Sequence, residues 1–232
     1  MTLLLESQDG VSGRRDARTQ YVLGLNENHD ASAALVRNGR VIRAIAAERL
    51  TGQKHGSDGL DLAVNYVLDA EGITREHLDL VVTCAHHQQS DGGPGQGAVA
   101  RTLIDSAGGY YIHRSHHDLH AYSTFYTSPF TQSAILVIDG MGSSASPTPS
   151  AERYSHVPLL RAATLDSQYY EAETLYVAIG RKIDAIGRNL TTRNPGDWAH
   201  EDIGIGRLYS HVTKAIFTSR YDAGKTMALA TS

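Results

Sequence analysis

"YVLGLNENHDASAALVRNGRVIRAIAAERL", residues 21–50, decides how the fold begins. Its first six residues are a short apolar run that ends in polar ones, as a strand does. "ENHD" reads as a turn and "ASAALVRNG" as a second strand. Asn38-Gly39 is a strong signal for a two-residue hairpin, because such turns demand residues that tolerate positive φ. "RVIRAIAAERL" supplies the third strand. The chain therefore opens as a three-stranded antiparallel meander whose first turn carries His29 and Asp30.

Further along, residues 58–72 place Leu60, Val64, Val67 and Leu68 at helical spacing, with Gly72 as the stop. "LDLVVTCA", residues 78–85, is a continuous apolar run of the buried-strand kind. A glycine-rich loop over 86–97, a short helix over 98–106, a histidine-rich helix over 115–126 and a buried strand over 133–139 follow. The order β-β-β-α-β-α-β resembles half of the actin and sugar-kinase (ASKHA, ribonuclease H-like) superfamily, an α/β half-domain built on a mixed sheet. A second meander is expected at 152–157 and 159–168, and a helical region at 207–221. The domain reading is a flexible leader at 1–20, a first ASKHA subdomain at 21–132 and an incomplete second one at 133–232.

The chain has 232 residues, 41% of them hydrophobic, enough for a real core. Its net charge is -4, and its arginines and lysines are scattered. A nucleic-acid partner would need a basic face, so none is expected. No segment is long and apolar enough for a bilayer, so no membrane partner is expected. The single cysteine, Cys84, excludes an intramolecular disulfide and suggests a reducing, cytoplasmic setting.

In "SHHDLHAYSTFY", residues 115–126, Ser115 and Asp118 fit a helix-capping pattern. His116 and His120 then stand one turn apart on one face, where two imidazoles reach a single cation. Asp139, at the end of the following strand, is positioned to add a carboxylate. Two histidines and one carboxylate leave coordination sites open, as catalytic ions require. The pair taken alone is weak evidence, since helical histidines more often hydrogen-bond than ligate, and Asp-Gly also marks ordinary turns. The turns "NENHDAS" and "DGMGSS" offer small residues and free N–H groups suited to an anion, with Lys54 and His55 in reach of the same cleft.

Six motifs carry a family resemblance: "GLNENHDASAALVRNGRV", "AERLTGQKHG", "HHDLHAYSTFYTSPF", "AILVIDGMG", "GRLYSHVT" and "DAGKTMALA". Their order and wording are similar to the O-carbamoyltransferases of antibiotic and nodulation-factor biosynthesis, which resemble the tRNA threonylcarbamoyl-transferring proteins in their first domain. The resemblance implies use of carbamoyl phosphate and ATP, a carbamoyl-adenylate intermediate, and transfer to a hydroxyl of a small natural-product acceptor. It implies that His116, His120 and Asp139 hold a divalent metal, most simply Fe2+. It makes His29 the general base or orienting residue. Asp30, Ser32 and Lys54 become contacts to the phosphate or adenylate, and Gly140, Gly142, Gly224 and Lys225 line the nucleotide side.

The resemblance is incomplete in places. "AAER" retains Glu48 but not the family's fuller acidic run, and "ALATS" lacks an expected glycine. Family members continue into the rest of the second half-domain, which brings a further aspartate ligand, and into a YrdC-like domain that makes the adenylate. A second chain supplying those parts is the implied partner. Two other readings compete: a non-catalytic subunit of a carbamoylating assembly, and an ASKHA-type ATPase or kinase, which leaves the histidine pair unexplained.

Overall fold

The structure, a computed structural model, describes residues 18–27, 29–84, 103, 107–113, 115–143, 169–192 and 204–231. Strands β1 (Tyr21–Asn26), β2 (Ser32–Arg37) and β3 (Arg40–Ala46) form the meander. Asn38 and Gly39 both take positive φ, 50° and 78°, so the β2–β3 hairpin has the turn geometry that this dipeptide favours. A short helix α1 (Glu48–Thr51) follows β3.

Strand β1 lies at the centre of the first sheet. It runs antiparallel to β2 and parallel to β4 (Leu80–Cys84), which is parallel in turn to β5 (Tyr110–His113). The order is β3-β2-β1-β4-β5, a mixed sheet of α/β type. Parallel neighbours need a crossover, and helix α2 (Leu60–Asp69) is part of it. Leu60, Ala63, Val64, Val67 and Leu68 form its buried stripe. They share a core with Leu23 and Leu25 of β1 and Ala33 and Leu35 of β2, which alternate inward along their strands. Each buried leucine or valine contributes about 1.5–3 kcal/mol of transfer free energy.

A second sheet is built from β6 (Gln132–Ile138), β7 (Tyr169–Ile179) and β8 (Lys182–Thr192), antiparallel in that order. Helix α3 (His116–Tyr126) packs on β6 and β7. Its Ala121 and Phe125 share a core with Ile135, Val137, Tyr176 and Ala178. So α3, which precedes residue 133, joins its core to strands that follow it. Helices α4 (Ile205–Phe217) and α5 (Ala223–Leu229) complete the described chain.

The meander expected at 152–157 and 159–168 lies outside the described residues, and a long β7–β8 hairpin occupies 169–192. Strand β5, between the glycine-rich loop and α3, is an addition to the expected order. The helix sought at 98–106 also lies outside the described residues, apart from Leu103, which is buried in the first core. Among the described residues no helix is long and apolar enough to cross a membrane.

Candidate functional site

Helix α3 begins where its sequence says it should. Ser115 is the N-cap, and its hydroxyl accepts the Asp118 backbone N–H at 3.0 Å. The next residue, His116, and His120 one turn later put their Nε2 atoms 2.9 Å apart. Asp139, just past the end of β6, brings Oδ2 to 3.1 Å from His116 Nε2. One donor atom from each of the three residues lies within 4.8 Å of the others.

The protons do not fill this arrangement. With neutral rings, a proton on His116 Nε2 must serve both the Asp139 carboxylate and the His120 lone pair, because a carboxylate only accepts. If His120 donates instead, His116 turns a bare lone pair toward the carboxylate. A divalent cation in place of that proton satisfies all three atoms at once. Metal–nitrogen bonds of about 2.1 Å meeting at right angles separate their donor atoms by roughly 3 Å, close to the spacings present. The residues fit a metal ion.

Electrostatics points the same way. Burial alone would raise the Asp139 carboxyl, but the His116 hydrogen bond and the neighbouring imidazoles outweigh it and hold the group well below the usual carboxylate range. Burial, with His116 beside it, pushes His120 down and favours the neutral, ligating ring. Asp139 is fixed further by its other oxygen, Oδ1, which accepts the Gly140 N–H at 2.6 Å.

Strand β7 holds the site from behind. Glu171 Oε2 accepts the Ser143 N–H at 3.1 Å, and Oε1 accepts from the Ser115 hydroxyl at 3.4 Å. Ser143 Oγ accepts the backbone N–H of His116 at 2.9 Å. One carboxylate thus ties the start of α3 to the segment that follows Asp139. The register of β7 on β8 shifts between Glu171 and Glu173, and this bulge lets two nearby acids serve different helices. Glu173 Oε1 accepts the N–H of Ile205, the first residue of α4, at 2.6 Å. Asp118 accepts from the Tyr176 hydroxyl at 3.0 Å, and burial followed by the Asp118 charge drives that phenol strongly upward.

Glu171 gives the fold a pH signature. Burial pushes its carboxyl up to about 7, with the Asp118 charge adding to the rise and the Ser143 N–H opposing it. The folded state therefore binds the Glu171 proton more tightly than the unfolded chain does. Stability from this group is complete below about pH 4.5 and declines as pH rises toward 7. We expect the urea midpoint to fall between pH 5 and pH 8. Glu171→Gln should flatten that decline, since the amide keeps an acceptor for Ser143 N–H and offers a donor to Ser115. An unchanged slope in Glu171→Gln would assign the pH dependence to other groups.

A second cluster forms in the β1–β2 turn. Asp30, at φ 61°, accepts from His29 Nδ1 at 2.7 Å through Oδ2 and from His55 Nδ1 at 2.9 Å through Oδ1. Burial works against the charged form of Asp30, yet the two imidazoles hold its carboxyl below the ordinary value. Asn26 Nδ2 donates to the carbonyls of both His29 and Asp30, fixing the turn. Ser32 opens β2, with Asn26 and Ala46 as its register partners. Lys54 is exposed in the turn next to His55.

The residues expected on the nucleotide side fall into two groups. Gly140 and Gly142 lie in the turn that follows Asp139, and Gly142 packs so tightly that a Cβ there would stand 2.6 Å from His117 Nε2. Gly224 is open, while Lys225 pairs with Asp222 at 2.8 Å and lies over the Phe217 ring. The His55 ring stacks on Tyr221, with centroids 5.4 Å apart, which sets the Lys54 turn beside the segment leading into α5. Sequence reasoning missed Glu171, because β7 had not been assigned. It also missed Gly206, whose bare Cα lets α4 approach the Asp139–Gly140 backbone.

Comparison with known proteins agrees with the motif reading. Residues 21–91 match a family model described as the carbamoyltransferase N-terminus. The nodulation protein NolNO of Sinorhizobium fredii is 33% identical over a stretch covering 51% of this chain and 20% of NolNO. An uncharacterized protein of Synechocystis, sll1178, is 25% identical over 53% of this chain and 26% of its own length. The chain thus spans about a quarter or less of these curated relatives. Among solved structures, an uncharacterized protein with similarity to peptidase YEAZ from Pseudomonas aeruginosa covers 77% of this chain and 70% of its own, at 16% identity and TM-score 0.39. YeaZ from the same organism covers 72% and 67%, at 15% identity and TM-score 0.34. Scores of this size carry no functional weight. Residues 21–91 thus resemble a carbamoyltransferase N-terminus, and about half of the chain is similar to a stretch of NolNO.

Proposed function

We propose that this chain carries the metal-binding transfer site of an O-carbamoyltransferase. The carbamoyl group starts on carbamoyl phosphate, passes through a carbamoyl-adenylate made with ATP, and ends on a hydroxyl of a small natural product. The observation that carries this reading is the convergence of His116, His120 and Asp139 in a chain of carbamoyltransferase type. Fe2+ suits the donor set, because two histidines and one carboxylate on one side of an ion leave the remaining positions open. When bound, such an ion supplies Lewis-acid polarisation of the carbamoyl carbonyl.

The chain's own residues supply the proton chemistry. Asp30 accepts from His29 Nδ1, which keeps the proton on that nitrogen and leaves Nε2 with a lone pair. His29 Nε2 takes the proton of the acceptor hydroxyl as its oxygen bonds to the carbamoyl carbon. The carbon–oxygen bond to the adenylate phosphate breaks, and AMP leaves with that electron pair. Lys54, exposed in the turn beside His55, neutralises the phosphate in this reading, with Asp30 and Ser32 in the neighbouring turn. Gly140, Gly142, Gly224 and Lys225 stand for the nucleotide side.

A second chain with a YrdC-like domain is proposed as the source of the adenylate. One observation supports a partner: Ile205, Leu208, Val212 and Ile216 form an exposed apolar stripe along α4.

The test is mass spectrometry for the carbamoylated acceptor, with carbamoyl phosphate, ATP and Fe2+, in the presence and absence of that second chain. We expect product only with both chains. His29→Gln should lower the rate about 10²–10⁴-fold, the range for loss of a general base. Asp30→Asn should cost less and shift the pH profile of the rate. A His29→Gln variant of undiminished rate would remove His29 from the chemistry.

A further inference from the structure

The HxxxH spacing places His116 and His120 on one face of α3 and turns His117 away from them. The structure shows where His117 goes. Its ring is fully buried between α3 and β7, with Nδ1 2.7 Å from the Thr174 hydroxyl. Its Nε2 is also buried and has no hydrogen-bond partner among the described residues. A buried polar atom without a partner has lost its hydration with nothing in return and calls for a reason. Asp139 Oδ2 lies 4.0 Å away, the same oxygen that faces His116. The turn beside it makes room for the ring, since a Cβ on Gly142 would stand 2.6 Å from that nitrogen.

We propose that His117 is a positioning residue for Asp139. Thr174 donates its hydroxyl proton to Nδ1, which fixes the tautomer with hydrogen on Nε2, and that N–H is aimed at the metal-facing carboxylate. At 4.0 Å the contact is not yet a hydrogen bond. A movement of about 1 Å closes it to ordinary hydrogen-bond length. An ion drawing on Asp139, His116 and His120 takes the His116 proton out of the carboxylate's reach, and His117 remains as the side-chain donor toward Oδ2, beside the Gly140 N–H on Oδ1. Ligating carboxylates are characteristically hydrogen-bonded from behind in this way, and losing such a partner weakens metal affinity about 10–100-fold. His117 acts through Asp139 and touches no substrate.

This inference rests on the metal reading above, and the experiment separates the two. Co(II) alone is titrated into the full chain, with its visible absorption as the readout and urea midpoints of the metal-free proteins measured alongside. Thr174→Val should weaken Co(II) binding about 10–100-fold while the band shape is unchanged, because the direct ligands are the same. Thr174→Ser, which keeps the hydroxyl, should bind as the wild type does. His117→Phe should match Thr174→Val in affinity, and if it fails to fold the threonine pair still decides. A folded Thr174→Val with wild-type affinity overturns the inference and leaves the metal site standing. A wild type that binds no Co(II) overturns both.

Discussion

The double variant His116→Ala plus His120→Ala is expected to lose stoichiometric binding of Fe(II) or Co(II) while folding as the wild type does. Loss of a supporting contact alone costs 10–100-fold in affinity, so removing two direct donors should cost more than about 1000-fold. Asp139 then remains as a single carboxylate, too little to hold an ion. The fold should survive because neither imidazole belongs to the second core, in which α3 anchors through Ala121 and Phe125. Truncating His116 also removes the donor that depresses the Asp139 carboxyl. That depressed value contributes stability above the ordinary carboxylate range, lost as pH falls through it. The double variant should therefore be slightly less stable at neutral pH and less sensitive to acid. Calorimetric titration with the metal and urea unfolding at two pH values check both halves. Retained tight binding would mean that the ion sits elsewhere.

The second large effect is expected from Gly206→Ala. A Cβ there would come within 2.4 Å of the backbone carbon and oxygen of Asp139 and 2.6 Å of the Gly140 nitrogen. All three are backbone atoms, so no flexible side chain can swing aside. Helix α4 must withdraw, or the turn that presents Asp139 must shift. Overpacking of this kind costs about 1–3 kcal/mol and occasionally more, and we expect the upper end. Because the displaced atoms belong to a metal-site residue, Co(II) affinity should fall as well. Gly224→Ala is the control: it too lies in a helix, its added Cβ meets nothing, and it should be neutral or stabilising by about 0.5–1 kcal/mol. Equal urea midpoints for Gly206→Ala and wild type would show that α4 does not bear on the site as described.

How much of this was legible depends on local periodicity. Asn38-Gly39 announced a hairpin because that dipeptide tolerates the required φ at both positions. Helix α2 showed itself through Leu60, Val64, Val67 and Leu68. Strand β7 stayed hidden because its register shifts at Glu171 and again at Leu175, so the two-residue alternation that marks a half-buried strand never runs long enough. Strand β5 is only four residues long. The site divides along the same line. His116 and His120 follow from helical spacing, and Asp139 from its place at a strand end. Glu171 and Thr174 come from β7 and become visible only once that strand is paired. Helical spacing sets His117 off the face that His116 and His120 share, but spacing along one helix says nothing about the strand it meets. Its contact with Thr174, and the 4.0 Å separation of its Nε2 from Asp139 Oδ2, are tertiary facts.

The central claim is that one cation is shared by two imidazoles and a strand-end carboxylate. A crystal of the full chain grown with Co(II), measured across the cobalt absorption edge, tests it most directly. The account predicts one anomalous peak about 2.1 Å from Nε2 of His116, Nε2 of His120 and Oδ2 of Asp139. A peak bound to only one of them, or located at another cluster such as His29–Asp30–His55, would contradict it.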